Sequence, residues 1–119
     1  MINMNNVQLL GKVTIEPRVR SLKSGSKVGE VGIGIPESFR KENGEWETRM
    51  HFVDVVVWAQ QAENLEKHYR KGDGILVEGS LQYESWEQDG RKRNRLKVRA
   101  QRIQPVKLPE YRKEMKKAS

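Results

Sequence analysis

The sequence predicts an all-β barrel of five strands in Greek-key order, with extended β-hairpins and one helix between the third and fourth strands. Three observations carry this. Five stretches alternate apolar and polar residues, the period of a half-buried strand. One stretch, between the third and fourth of these, switches to a spacing of three and four residues. Asn43-Gly44 and Asp89-Gly90 are the dipeptides that tight hairpin turns favour. An open α+β sheet with the helix on one face is the alternative arrangement.

Each element follows from its residues. Val7, Leu9, Gly11, Val13 and Ile15 share one parity and make the first strand; Gly11 inside it suggests a bulge or sharp bend, and Pro17 interrupts it. A polar stretch turns at Ser24-Gly25-Ser26. Val31, Ile33 and Ile35 mark the second strand, with Gly32 and Gly34 on its other face and Pro36 at its end. Phe39 and Trp46 flank the Asn43-Gly44 tip. In the third strand, Val53, Val55 and Val57 read as core, whereas the opposite face carries Phe52 and Trp58 around Asp54. Ala62, Leu65 and Tyr69 give the helix its apolar stripe, and Gly72-Asp73-Gly74 stops it. The fourth strand runs from Ile75 to Trp86, with Ile75, Val77, Leu81 and Tyr83 on the core parity. The fifth returns from Arg91 to Ile103, with Leu96, Val98 and Ala100 inward. This succession fits the oligonucleotide/oligosaccharide-binding (OB) fold, a partly open barrel that binds on one strand face and its loops.

At 119 residues the chain suits one domain. Residues 1–106 are expected to form it, and 107–119 a short basic C-terminal tail, flexible or partly helical over Glu110–Lys117. No run of 18 apolar residues occurs, and mean hydropathy is −0.84, which excludes a transmembrane helix. The asparagine-rich N-terminus has no apolar signal core, so the cytoplasm is the expected compartment. The absence of cysteine excludes disulfides, thiolate metal sites and cysteine nucleophiles. His51 and His68 share no metal or catalytic motif, and neither a cofactor nor an enzymatic activity is expected.

The net charge of +7 points to a polyanionic partner, although charge alone would also serve solubility. Its distribution is more informative. Between Arg91 and Pro109 stand eight basic residues and no acidic one. Arg91, Arg93, Arg95, Lys97 and Arg99 alternate along one strand face, spaced about 7 Å apart, comparable to phosphates on a stretched single strand. Phe52 and Trp58 lie on a face that is not core, and Phe39 and Trp86 on hairpin arms. A cationic groove with flat side chains for base stacking is what non-specific single-strand binding requires. Tyr69 and Tyr83 match the core parity and are assigned to packing. Trp46 fits either role.

Several runs of these residues resemble the bacterial single-stranded DNA-binding protein (SSB) family. Asn6-Val7-Gln8-Leu9-Leu10-Gly11-Lys12-Val13 and Pro17-Arg18-Val19-Arg20 are similar to its opening strand and turn. Glu37-Ser38-Phe39-Arg40 is similar to a segment that carries a stacking aromatic. His51-Phe52-Val53-Asp54-Val55-Val56-Val57-Trp58, with Ala62-Glu63, resembles the third strand and helix start. Tyr69-Arg70-Lys71-Gly72-Asp73, Val77-Glu78-Gly79-Ser80-Leu81, Trp86 and Asp89-Gly90 complete a match over about residues 4–106. The resemblance implies stacking by Phe39, Phe52, Trp58 and Trp86, and phosphate contacts from Arg20, Lys71 and Arg93. It also implies a homotetramer of paired dimers, with a homodimer as the smaller alternative and the edge near Met4–Leu10 as the dimer contact.

Two departures stand out. Family members usually end in a flexible linker and an acidic tip that docks replication and repair proteins; that tip is expected to be absent from this chain, whose residues 105–119 carry five basic and two acidic side chains. Asp54 puts a carboxylate on the presumed binding face, where it would repel a phosphate or pair with a neighbouring arginine. The expected function is sequence-independent coating and protection of single-stranded DNA, in association with the nucleoid, during replication, recombination and repair. The competing readings are a protein-docking module on the same fold, an RNA-binding barrel and, least supported, a small enzyme.

Overall fold

In the computed structural model, which describes residues 1–107, the alternating stretches pair edge to edge until the sheet closes on itself. The elements are β1 (Val7–Ser21), β2 (Lys27–Arg40), β3 (Trp46–Trp58), α1 (Gln60–His68), β4 (Gly74–Gln88) and β5 (Arg91–Val106). Around the closed barrel the order is β1-β2-β3-β5-β4. Neighbours are antiparallel except β3 and β5, which close the barrel in parallel at Val55–Val98 and Val56–Arg99. The Greek-key barrel and its helix are as expected, and closure removes the open-sheet alternative. The helix expected within 110–117 lies outside the described residues.

The core forms where the inward parity of every strand meets. Val13, Val31, Ile33, Val55, Val57, Ile75, Val77 and Val98 are buried together, and Ala62, Leu65 and Tyr69 of the helical segment pack against them. Burying a leucine such as Leu65 contributes roughly 1.5–3 kcal/mol. Burial also raises the Tyr69 hydroxyl above its ordinary pKa.

Pro17 was expected to interrupt its strand and Pro36 to end its own; β1 runs through Pro17 with an irregular ladder, and β2 continues past Pro36. Pro17 lies where the β1–β2 register shifts between Ile15 and Arg18, so its missing N–H falls within an irregular stretch of the ladder. Pro36 pairs with Met50 beyond Gly34, where the β1 ladder has stopped and, among the described residues, β2 is an edge strand. Pro105 likewise sits inside β5, opposite Ile75. The irregularities of β1 fall between Val13 and Arg18 rather than at Gly11. Gly11 answers a different need: a Cβ there would run into the Gly34 carbonyl as β1 passes from β4 to β2.

The hairpins reach beyond the barrel, and this corrects three core assignments, Leu81, Tyr83 and Leu96. Past Gly79, β4 has left β1 and, among the described residues, pairs only with β5. Leu81, Tyr83 and Leu96 keep the core parity but have run out of core, so Tyr83 and Leu96 are each 64% exposed. At the tip, Asp89 and Gly90 both adopt positive φ (53° and 75°), as the Asp-Gly pair predicts for a tight turn.

Candidate nucleic-acid interface

The register places the outward residues of β1, β2 and β3 in rows across the barrel. Lys12 aligns with Gly34 and Phe52; Ile15 with Gly32 and Asp54; Arg18 with Glu30 and Val56; Arg20 with Val28 and Trp58. Directly paired residues share a face, and strands lie about 4.8 Å apart. Each aromatic of β3 is thus two strands, or about 10 Å, from an exposed cation on β1. Phe52 is 71% exposed and Trp58 42%. The pair of glycines on this face of β2 has a local cause. A Cβ on Gly32 would press on the Ile15 side chain, and one on Gly34 would press on Met50 and Thr14. Side chains from both flanks lie over the bare backbone, and Ile15 remains half exposed beside Asp54.

Trp58 is held by its connection to the helix. Ala59 follows it with φ 53° and ψ −122°, a conformation that favours glycine, and the Ala59 N–H donates to the Lys27 carbonyl at 2.8 Å. The turn therefore ties Trp58 to the start of β2.

Arg95 occupies the middle of this face. Its guanidinium meets Glu84 at 3.2 Å, Asp54 at 3.4 Å and Glu30 at 3.5 Å, reaching carboxylates on three strands. It also lies 5.9 Å from the Trp86 ring. Lys97 pairs with Glu84 at 2.6 Å. That hydrogen bond, assisted by Arg95, holds the Glu84 carboxyl below the usual carboxylate range. Ile15, Arg18, Glu30, Gly32, Asp54 and Arg95 are among the residues that line a shallow groove here. Asp54, anomalous in the sequence, is a partner of Arg95.

The other expected residues are distributed around this centre. Trp86 pairs across the β4–β5 arm with Arg93, and Gln88 with Arg91 near its tip. Arg99 stands at the seam, opposite Val56 and Ser80. Lys71 lies past the helix, where its backbone N–H donates to Glu16. Phe39 is on the opposite face of its arm from Phe52, and Arg49 covers one side of its ring at 4.5 Å. Trp46 shares the Phe52 parity and is 70% exposed. Lys12 and Arg18 were missed from sequence. The bulges of β1 determine which of its residues align with Phe52 and Val56, and local alternation does not reveal bulges.

A model of the single-strand binding protein family matches residues 4–106. The chain belongs to the single-strand binding protein family. It is 36% identical over 104 residues to a single-stranded DNA-binding protein of Deinococcus radiodurans, covering 87% of this chain and 34% of the relative. With the single-stranded DNA-binding protein of Aquifex aeolicus it shares 31% identity over 106 residues, 89% of this chain and 72% of that one. Among solved structures, a deletion mutant of the single-stranded DNA binding protein from Thermus aquaticus superposes with a TM-score of 0.78 at 32% identity, covering 87% of this chain and 51% of the other. The chain thus spans between a third and three-quarters of the length of these relatives. For this SSB-family chain, the match includes every strand of the barrel and all the exposed aromatics described above.

Proposed function

We propose that this chain binds single-stranded DNA without regard to sequence, coating and protecting it in the cytoplasm during replication, recombination and repair, and catalyses no reaction. Bases stack on Phe52, Trp58 and Trp86, and Phe39, on the opposite face of the β2–β3 arm, takes a base where the strand passes round that arm. Arg20, Lys71, Arg91, Arg93 and Arg99 neutralise phosphates around this path, together with Lys12 and Arg18. The activity resides in residues 1–106. The observation that carries this reading is the exposure of Phe52 and Trp58 in rows that end on cations. Exposed large aromatics on a sheet face, beside positive charge, are stacking platforms.

Titration with oligo-dT, followed by tryptophan fluorescence, tests it. Strong quenching is expected, with affinity falling by about 0.7 log units per log unit of salt for each phosphate neutralised. Stacking should leave a component that high salt does not remove. Binding without quenching that vanishes in salt would leave only a basic surface.

The same reading extends to assembly as a homotetramer of paired dimers. From Val7 to Gly11, β1 pairs with β4 alone among the described residues, so its other edge is open. Leu10 on this stretch is half exposed, and Leu81, Tyr83 and Leu96 present a second apolar face. Sedimentation should give a mass near four chains, and Leu10→Glu should shift it toward dimer or monomer. A monomeric wild type at micromolar concentration would contradict the assembly.

A further inference from the structure

Three carboxylates, from β2, β3 and β4, surround the Arg95 guanidinium within 3.5 Å. We propose that Glu30, Asp54 and Glu84 form an intramolecular latch that occupies Arg95 in the free protein, and that an incoming strand's phosphate displaces Asp54 and Glu30 from it. The proposal rests on the groove path proposed above. Three features support it.

First, the cluster sits on that path. Asp54 lies between Phe52 and Trp58 on one strand face, and the guanidinium is close to Trp86. A strand stacked on these aromatics passes directly over it.

Second, the contacts are graded. Charge-assisted bonds between guanidinium and carboxylate are usually 2.7–2.9 Å. Asp54 at 3.4 Å and Glu30 at 3.5 Å are looser than Glu84 at 3.2 Å, and Lys97 anchors Glu84 further at 2.6 Å. Asp54 and Glu30 therefore release first, while Glu84 keeps Arg95 pointing into the groove. Their side chains are 59% and 50% exposed, so these are ion pairs that solvent already weakens.

Third, the charge balance is against the phosphate. The three carboxylates outnumber the two cations they pair with, Arg95 and Lys97, so the cluster itself carries a net negative charge and does not draw a phosphate by charge alone. Stacking on the flanking aromatics supplies the free energy that brings a phosphate there. Arg95 is thus a phosphate ligand held in reserve for chains that carry bases.

A double-mutant cycle on labelled oligo-dT tests the latch by fluorescence anisotropy. Asp54→Asn should tighten binding by roughly two- to fivefold, the size of one exposed ion pair. Arg95→Gln should weaken binding more in the Asp54→Asn background than in the wild type, by a similar factor. Direct repulsion between Asp54 and DNA cancels in this comparison, so the coupling reports release of Arg95 from Asp54. Equal costs in the two backgrounds would overturn the latch, because Arg95 would then stay on its carboxylates throughout. Weaker binding by Asp54→Asn would also overturn it, making Asp54 a strut that orients Arg95. Glu30→Gln repeats the cycle from another strand should Asp54→Asn disturb β3. Phe52→Ala reports on the path separately. Its unchanged affinity would overturn the path and the latch together, whereas its loss with an additive cycle would overturn the latch alone.

Discussion

Trp58→Ala should weaken binding to oligo-dT by about 1–3 kcal/mol, or roughly 5- to 150-fold, the range for losing one stacked base. The indole is 42% exposed and sits on the outer face of β3, so its removal leaves no cavity among the buried valines of the inner face. The loss should persist at high salt, since no charge is removed, and the slope of affinity against salt should stay the same. Phe52→Ala, at 71% exposure, should behave alike. Trp58→Phe should restore much of the affinity, because a smaller ring still offers a stacking surface. Anisotropy of a labelled oligonucleotide is the appropriate readout, since the substitution removes a fluorophore. A loss below about 0.5 kcal/mol, within the range of ordinary surface substitutions, would make Trp58 a packing residue of the β3–α1 turn.

Trp58 and Phe52 also show how much of the interface was legible in the sequence. Their parity on β3, opposite Val55 and Val57, is a local property of alternation, and alternation survives folding wherever one strand face is buried. The strands, the helix position and both hairpin tips were legible for the same reason. Three kinds of feature were not. Pro36 looked like a strand end, and Pro17 like a break rather than a bulge that β1 passes through, because a chain does not announce which stretches are irregular or lie at an edge. Tyr83 looked like core because parity gives the face of a strand but not where the barrel beneath it stops. Arg95 and Lys97 looked like cations on an alternating stripe; an arginine partner for Asp54 was one of the two expectations and is met by Arg95, but which arginine, and the contacts with Glu30 and Glu84, were not legible. The carboxylate partners on β2, β3 and β4 come from residues 11 to 65 positions away, which only the barrel order brings together.

The barrel seam gives the largest expected effect on stability. Gly79→Ala should destabilise the fold by about 3 kcal/mol, the upper end of overpacking costs. A Cβ at Gly79 would be driven into the Arg99 carbonyl, with the Ala100 Cα only 3.0 Å away. Both obstacles are backbone, so no side chain can swing aside to make room. The register shifts at this point: Glu78 pairs with Arg102 but Gly79 with Ala100, leaving Gln101 as the extra residue of a bulge. Arg99 is also one of the two β5 residues that pair with β3, so a displaced carbonyl strains the parallel contact that closes the barrel. For a domain of this size the cost corresponds to a fall in Tm on the order of 15 °C, at fixed protein concentration. Gly90→Ala is the matched control. Its φ of 75° opposes alanine, but nothing among the described residues lies within 4 Å of the added Cβ, so only the backbone strain of about 1–2 kcal/mol remains. Equal Tm values for the two variants would mean that β5 yields at its bulge and that the seam does not require glycine.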